Sequence, residues 1–208
     1  MRGSDFEWTT YPLAGYESTG YGPGLRVLDL GCGDGLQLAE LESCGAVASG
    51  LDVHWAALAK CRKTRLRVMQ GRAEEIPLKD ASLDGILCKV VLPYTDEARV
   101  LAEVGRLLKK GAVAHCVYHG AGYYLRYVLY PHHWKYRVYG IRSLVNTWCY
   151  AVTGRRLPGF VGDTLYQSRR RLTQYYRRNN LELTSDVASR TFFGLPVFLY
   201  HALRKTGP

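Results

Sequence analysis

LRVLDLGCGDG, residues 25–35, decides how the rest of the chain is read. Leu25, Val27, Leu28 and Leu30 make a short apolar run, the pattern of a strand buried on both faces of a parallel sheet. Glycine then takes every second position, Gly31, Gly33 and Gly35, and behind them Leu36, Leu38, Ala39 and Leu41 open an amphipathic helix. Strand, glycine turn and helix in that order bring bare backbone and a helix N-terminus up to a ligand. Glycine serves there because it adopts positive φ without strain and has no Cβ to hold the ligand off.

Spacing narrows the choice of ligand. A dinucleotide fingerprint begun at Gly31 needs a glycine at position 36, where Leu36 stands, and the Gly-Lys-Ser/Thr of a P-loop is absent. An acid precedes the turn instead, giving Asp29-x-Gly31-x-Gly33-x-Gly35, which suits an ammonium group better than a pyrophosphate. VLDLGCGDG resembles the first motif of class I S-adenosylmethionine (SAM)-dependent methyltransferases, in their type 11 and ubiquinone-biosynthesis-like group. The resemblance covers residues 25 to 118 well and the C-terminal hairpin weakly. It implies a doubly wound, Rossmann-like α/β fold: a seven-stranded, mostly parallel sheet with an antiparallel C-terminal strand and a helical cap after strand five. It also implies SAM as cofactor and S-adenosylhomocysteine as product. Asp29 would lie near the amino acid moiety, with Gly31, Cys32 and Gly33 against the ligand.

Residues 46–53 read as a second buried strand with Asp52 and Val53 at its tip. An acid there is placed to accept hydrogen bonds from ribose hydroxyls; standing alone, it would be an ordinary cap for a helix over 54–63. A third strand over 66–70 leads into Gly71-Arg72-Ala73-Glu74-Glu75-Ile76-Pro77-Leu78, similar to the family's G-D-A-E-x-L-P-F segment, whose acid meets the adenine amino group. Arg72 replaces that acid, which leaves adenine to the Ala73 backbone, to Glu74, or to stacking under the Arg72 guanidinium. The fourth strand, 83–91, carries Lys89 toward the cofactor, and Tyr94 follows at the carboxyl edge of the sheet. Nucleic-acid amino methylases of the family have Asn/Asp-Pro-Pro-Tyr/Phe there. Leu92-Pro93-Tyr94 lacks the polar residue, which counts against that chemistry. A helix over 95–110 follows, with Thr95 as cap, Asp96 and Glu97 in its first turn, Lys109 and Lys110 in its last, and Gly111 as a left-handed stop.

At 208 residues the chain accommodates one well-filled domain with a cap, not two equal domains. Residues 1–24, with Trp8, Tyr11, Tyr16 and Tyr21, are either a flap over the ligand or a loose arm; residues 25–208 form the SAM-binding domain. No stretch reads as a signal peptide or a membrane span. The six cysteines are scattered singly, without zinc spacing. Reduced thiols, a cytoplasmic location and no metal are therefore expected. The charge is concentrated: residues 120–180 hold eleven of the 28 basic residues against the single acid Asp163, and ten of the 16 tyrosines. That window is the expected cap, following a fifth strand over 112–118, with helices near 121–130, 136–153 and 164–178. Strands over 183–187 and 197–204 would complete the sheet.

Tyr124, Arg126, Tyr127, Trp134, Lys135, Tyr136, Arg137, Tyr139 and Trp148 mix aromatic and cationic groups in the cap. Three readings stand side by side: a platform for a phosphorylated or lipid-linked substrate at the inner membrane surface, a nucleic-acid surface, or a solvated basic face whose tyrosines pack the cap. Arg169-Arg170-Arg171 reads as a solvated helix face. Tyr16, Tyr124, Tyr127 and Arg126 are the candidate substrate contacts. Where the acceptor is a hydroxyl, His119 is the first candidate for general base, ahead of His132, His133 and Tyr94. The chain thus reads as a methyltransferase of small-molecule or lipid-linked acceptors, by O- or C-methylation. Nucleic acid is disfavoured, since no RNA-binding motif is visible. An RNA methyltransferase and a non-catalytic SAM-binding protein are the alternatives.

Overall fold

The computed structural model describes residues 20–188 and 191–207. Tyr16, Trp8 and Tyr11 of the expected arm lie outside the described residues. The glycine turn does join a strand, Arg26–Leu30 (β1), to a helix, Leu36–Ser43 (α1). There follow Val47–Asp52 (β2), Trp55–Lys63 (α2), Val68–Gln70 (β3), Leu83–Lys89 (β4), Glu97–Leu107 (α3) and Leu108–His119 (β5). The helices Ala121–Leu129 (α4), Trp134–Thr153 (α5) and Arg169–Arg178 (α6) come next. The chain closes with Leu181–Ala188 (β6), the short pair Thr191–Phe192 (β7) and Leu195–Pro196 (β8), and Phe198–Lys205 (β9). The main sheet runs β3-β2-β1-β4-β5-β9-β6. Its first five strands are parallel, and β9 lies antiparallel between β5 and β6. This is the Rossmann-like, doubly wound sheet that the resemblance implies.

Alternation along the strands fills both faces of the sheet. Leu28 and Leu30 turn to one side, where Ile86, Cys88, Cys116 and Tyr118 join them against α3 and α6; Val27 and Leu87 turn to the other, against Leu38 and Leu41 of α1. On that second side Tyr21 plugs the seam between β4 and β5. Its hydroxyl lies 2.9 Å from the Ile86 carbonyl and 2.7 Å from the Val113 carbonyl, and accepts from the Ile86 N–H at 3.1 Å. Gly85 makes the room: a Cβ there would stand 2.2 Å from the Tyr21 ring.

Three local expectations are corrected. Asp96, not Thr95, caps α3, its carboxylate accepting from the N–H groups of Ala98 and Arg99; the Thr95 hydroxyl turns back to the Val91 and Leu92 carbonyls. The helix stops at Leu107, because Leu108 already pairs with Leu83, and the positive φ of Gly111 serves an irregularity in β5 and not a helix end. Arg171 is no solvated charge. It forms a buried ion pair with Glu97 of α3, which Gln167 also contacts, and so ties α6 to α3.

The helix α5 is inverted. Its buried positions are Gly140, Ser143, Asn146 and Thr147. At Gly140 a Cβ would meet the Tyr124 carbonyl at 2.7 Å, so glycine lets α4 and α5 pack closely. The polar members are used: Asn146 donates to the Thr164 carbonyl and accepts from the Leu157 N–H, both at 2.9 Å, and the Thr147 hydroxyl accepts from the Tyr166 N–H at 3.0 Å.

Candidate active site

The carboxyl ends of β1, β2 and β4 surround a cavity of about 380 Å³ lined by Gly31, Leu51, Asp52, Val53, Gly71, Arg72, Ala73, Glu74, Lys89 and Val91, with Tyr94 at its edge. Gly31, Gly33 and Gly35 all have positive φ, yet space treats them differently. A Cβ at Gly31 would strike Val91 at 2.3 Å, whereas one at Gly33 would meet nothing within 4 Å among the described residues. The turn is thus closed on its protein side and bare at Gly33.

Below the turn Asp29 is 2% exposed, and its Oδ2 has no hydrogen-bond partner among the described residues. Burial raises its pKa to about 7, against the pull of Lys89. Lys89, half-buried at the end of β4, is pushed down by the same desolvation. At the tip of β2 the Asp52 carboxylate accepts from the Gly33 N–H at 2.9 Å and the His54 N–H at 2.8 Å, which holds it across the cavity floor with lone pairs to spare. Glu74, nearly buried, accepts from the Asp96 N–H at 3.2 Å and pairs with Arg72 at 3.3 Å. Arg72 is mostly exposed, leaning over the rim. Cys32 is placed otherwise: its thiol is packed against Gly50, it does not line the cavity, and burial pushes its pKa up.

Directly after β4 the chain is strained. Val90 has φ 58°, a left-handed conformation that is rare for a β-branched residue and costs on the order of 1–3 kcal/mol. The kink feeds the 3₁₀ turn Leu92–Tyr94 and delivers Tyr94 to the rim. Beyond Tyr94 lies a second cavity, about 610 Å³, walled by Tyr123, Tyr127, Trp134, Tyr136, Tyr139 and Phe160, with Lys135 and Arg142 beside them. Tyr94 lines both. Its hydroxyl is 3.1 Å from that of Tyr139, and those of Tyr123 and Tyr127 are 3.3 Å apart. Arg142 stacks on Phe160 at 3.8 Å and pairs with Asp163 at 2.7 Å.

The cap candidates are therefore divided. Tyr127 lines the aromatic cavity. Tyr124 is fully buried beneath it against His119, and Arg126 belongs to neither lining. His119 is stacked on Tyr123 at 3.8 Å, is 4% exposed, lines neither cavity, and has its pKa lowered by burial to about 3. A histidine so placed is a poor proton acceptor for anything in the aromatic cavity. His133 caps α5 through the Lys135 N–H at 3.2 Å. Among the described residues, no histidine or carboxylate lines the aromatic cavity. Tyr123, Arg142 and Phe160 were not singled out as site residues by sequence, because positions on a helix look alike until its partners are known.

Residues 28–116 match the model of a methyltransferase domain. Among curated proteins, the chain is 33% identical over 102 residues to an uncharacterized methyltransferase of Synechocystis sp., covering 47% of this chain and 48% of that protein. It is 37% identical over 87 residues to a probable S-adenosylmethionine-dependent methyltransferase of Mycobacterium tuberculosis, covering 40% and 31%. The chain thus matches half or less of the length of these relatives. Among solved structures, a SAM-dependent methyltransferase from Methanosarcina mazei superposes with a TM-score of 0.66 at 19% identity, over 93% of this chain and 99% of that one. At such identity the likeness is one of fold.

Proposed function

We propose that this chain, whose residues 28–116 match the model of a methyltransferase domain, binds SAM at the glycine turn and methylates an apolar, ring-bearing acceptor, free or lipid-linked, held in the aromatic cavity. The observation that carries the reading is Tyr94, shared by the two cavities, so that an acceptor in one lies next to a methyl donor in the other.

The residues fit SAM on grounds independent of family. The orphaned Oδ2 of Asp29 calls for a cationic donor, which an amino acid ammonium supplies. Asp52 offers spare acceptor capacity to a pair of hydroxyls, and Gly33 leaves the approach open. Arg72, Ala73 and Glu74 border the place for a flat base. When bound, SAM supplies a methyl group on a sulfonium and departs as S-adenosylhomocysteine.

What remains for the chain is positioning and proton handling. The aromatic walls exclude water and clamp a ring, and the hydroxyl pairs Tyr94/Tyr139 and Tyr123/Tyr127 orient an acceptor oxygen by hydrogen bonding. With neither histidine nor carboxylate among the described residues of that lining, an acceptor acidic enough to present itself as an anion, such as a phenol or enol, suits the cavity best. Lys135 would stabilise its charge before O- or C-methylation. The basic cap gives weaker support to nucleic acid, since Arg171 pairs with Glu97, Arg142 with Asp163 and Arg169 with Asp186.

The test is incubation of cell extracts with isotopically labelled SAM and the protein, followed by mass spectrometry of lipid, small-molecule and nucleoside fractions. Label in an apolar ring compound supports the reading. Label in nucleosides would move the assignment to RNA, and absence of label in every fraction would leave a SAM-binding protein.

A further inference from the structure

The inverted face of α5 has a use. Trp134, Val138, Ile141, Val145, Trp148 and Val152 recur at steps of four and three, which places them on one side of the helix. They are between 41% and 70% exposed. At 1.5 Å per residue the stripe runs about 27 Å, far beyond the isolated surface apolar residues that need no explanation. Nor is it a helix set in backwards, since the buried Asn146 and Thr147 have their hydrogen bonds satisfied by the 157–166 segment.

Charge selects the occupant. Within α5 the ionisable groups of fixed sign are Lys135, Arg137 and Arg142, with no acid, and Arg155 and Arg156 follow it. Asp163, the one acid in residues 120–180, is already paired with Arg142. Two copies meeting along the stripe would bring these cations together. A nucleic acid would satisfy the cations but has nothing to offer Val138, Ile141, Val145 and Val152. Tryptophans at positions 134 and 148, aliphatic residues between and beyond them, and cations alongside suit the boundary of a bilayer with anionic headgroups. Among the described residues no helix is long and apolar enough to cross a membrane, so the contact is with its surface.

We infer that the exposed face of α5 docks on an anionic lipid bilayer. Trp134 and Val138 belong both to the stripe and to the lining of the aromatic cavity, so docking sets the mouth of that cavity at headgroup level. This last placement rests on the proposed function, whereas the docking itself does not.

Flotation of the whole chain with phosphatidylglycerol–phosphatidylcholine vesicles, beside pure phosphatidylcholine vesicles, tests it. The comparison is with the triple variant Val145→Ser, Trp148→Ser, Val152→Ser, whose positions lie outside both cavity linings. The wild-type protein is expected to float with the anionic vesicles, and the variant to partition at least roughly tenfold less while keeping its circular dichroism and SAM affinity. Equal flotation of the variant, no flotation of the wild type, or a stripe-dependent dimer in sedimentation velocity in place of lipid binding would overturn it. SAM calorimetry on the same samples separates the two claims. SAM binding without vesicle binding sinks the docking, and vesicle binding without SAM binding sinks the proposed function.

Discussion

Replacing Asp29 with Asn should make the SAM-free protein more stable at alkaline pH and worse at binding SAM. Burial raises the Asp29 carboxyl to about 7, from an ordinary value near 3.9. An acid that holds its proton more tightly when folded lends most stability below about pH 4, loses it progressively as pH rises to about 7, and changes nothing further above that. At 1.36 kcal/mol per pH unit, ionising Asp29 in the folded chain costs about 4 kcal/mol. Lys89 loses its anionic neighbour in the variant, which trims the gain to about 2–4 kcal/mol at pH 8. His119 and His201, both depressed by burial to about 3 and about 4, act in the opposite direction, losing stability as pH falls below their unfolded value near 6.5. They are common to both proteins and cancel in the difference. Urea unfolding of the two proteins from pH 5 to 8 should therefore give a stability difference that is about 2 kcal/mol smaller at pH 5 than at pH 8 and grows up to pH 7. A pH-independent difference would show that Asp29 is not a buried, proton-holding acid. Calorimetry should show the variant binding SAM more weakly, and wild-type binding below pH 7 should release a proton as Asp29 ionises to meet the ammonium.

Asp52→Ala removes a charged acceptor and should weaken SAM by about 1.5–3 kcal/mol, read by calorimetry; equal affinity would put the ribose elsewhere. His119→Phe should retain turnover with the labelled acceptor, instead of losing the roughly hundredfold or more that removal of a general base costs. Glu97→Ala strands Arg171 in the interior, and thermal unfolding should register a loss of about 3–5 kcal/mol. A loss under about 1 kcal/mol, the range of exposed pairs, would mean that water reaches Arg171.

The glycine turn was legible because the constraint on it is local: alternate positive φ values and a bare backbone admit few residues other than glycine. The mostly parallel, seven-stranded sheet with its antiparallel C-terminal strand followed from the same motif through resemblance. Other signals were ambiguous in kind. Thr95 and Asp96 are adjacent good caps, and only the tertiary position of Val91 and Leu92 decides between them. Lys109-Lys110-Gly111 reads as a helix end, yet pairing of Leu108 with Leu83 had already converted the chain to strand. His119 stands at the strand end where it was expected, but its ring is turned into the Tyr123 and Phe198 stack. The inner face of α5 was illegible, since periodicity locates an apolar stripe without saying which side the 157–166 segment will claim.

Tyr21 and Gly85, joined at the seam of β4 and β5, carry a consequence for mutational history. Enlarging residue 85 collides with the ring at 2.2 Å, while shrinking residue 21 empties a slot in the sheet and strips the Ile86 and Val113 backbone of a shared hydroxyl. Each change is harmful alone, and one can relieve the other, so the two sites behave as one locus 64 positions apart in sequence. Libraries that vary them singly will record both as immutable; paired variation, with a larger side chain at 85 opposite a smaller one at 21, is the route by which this sheet can be repacked.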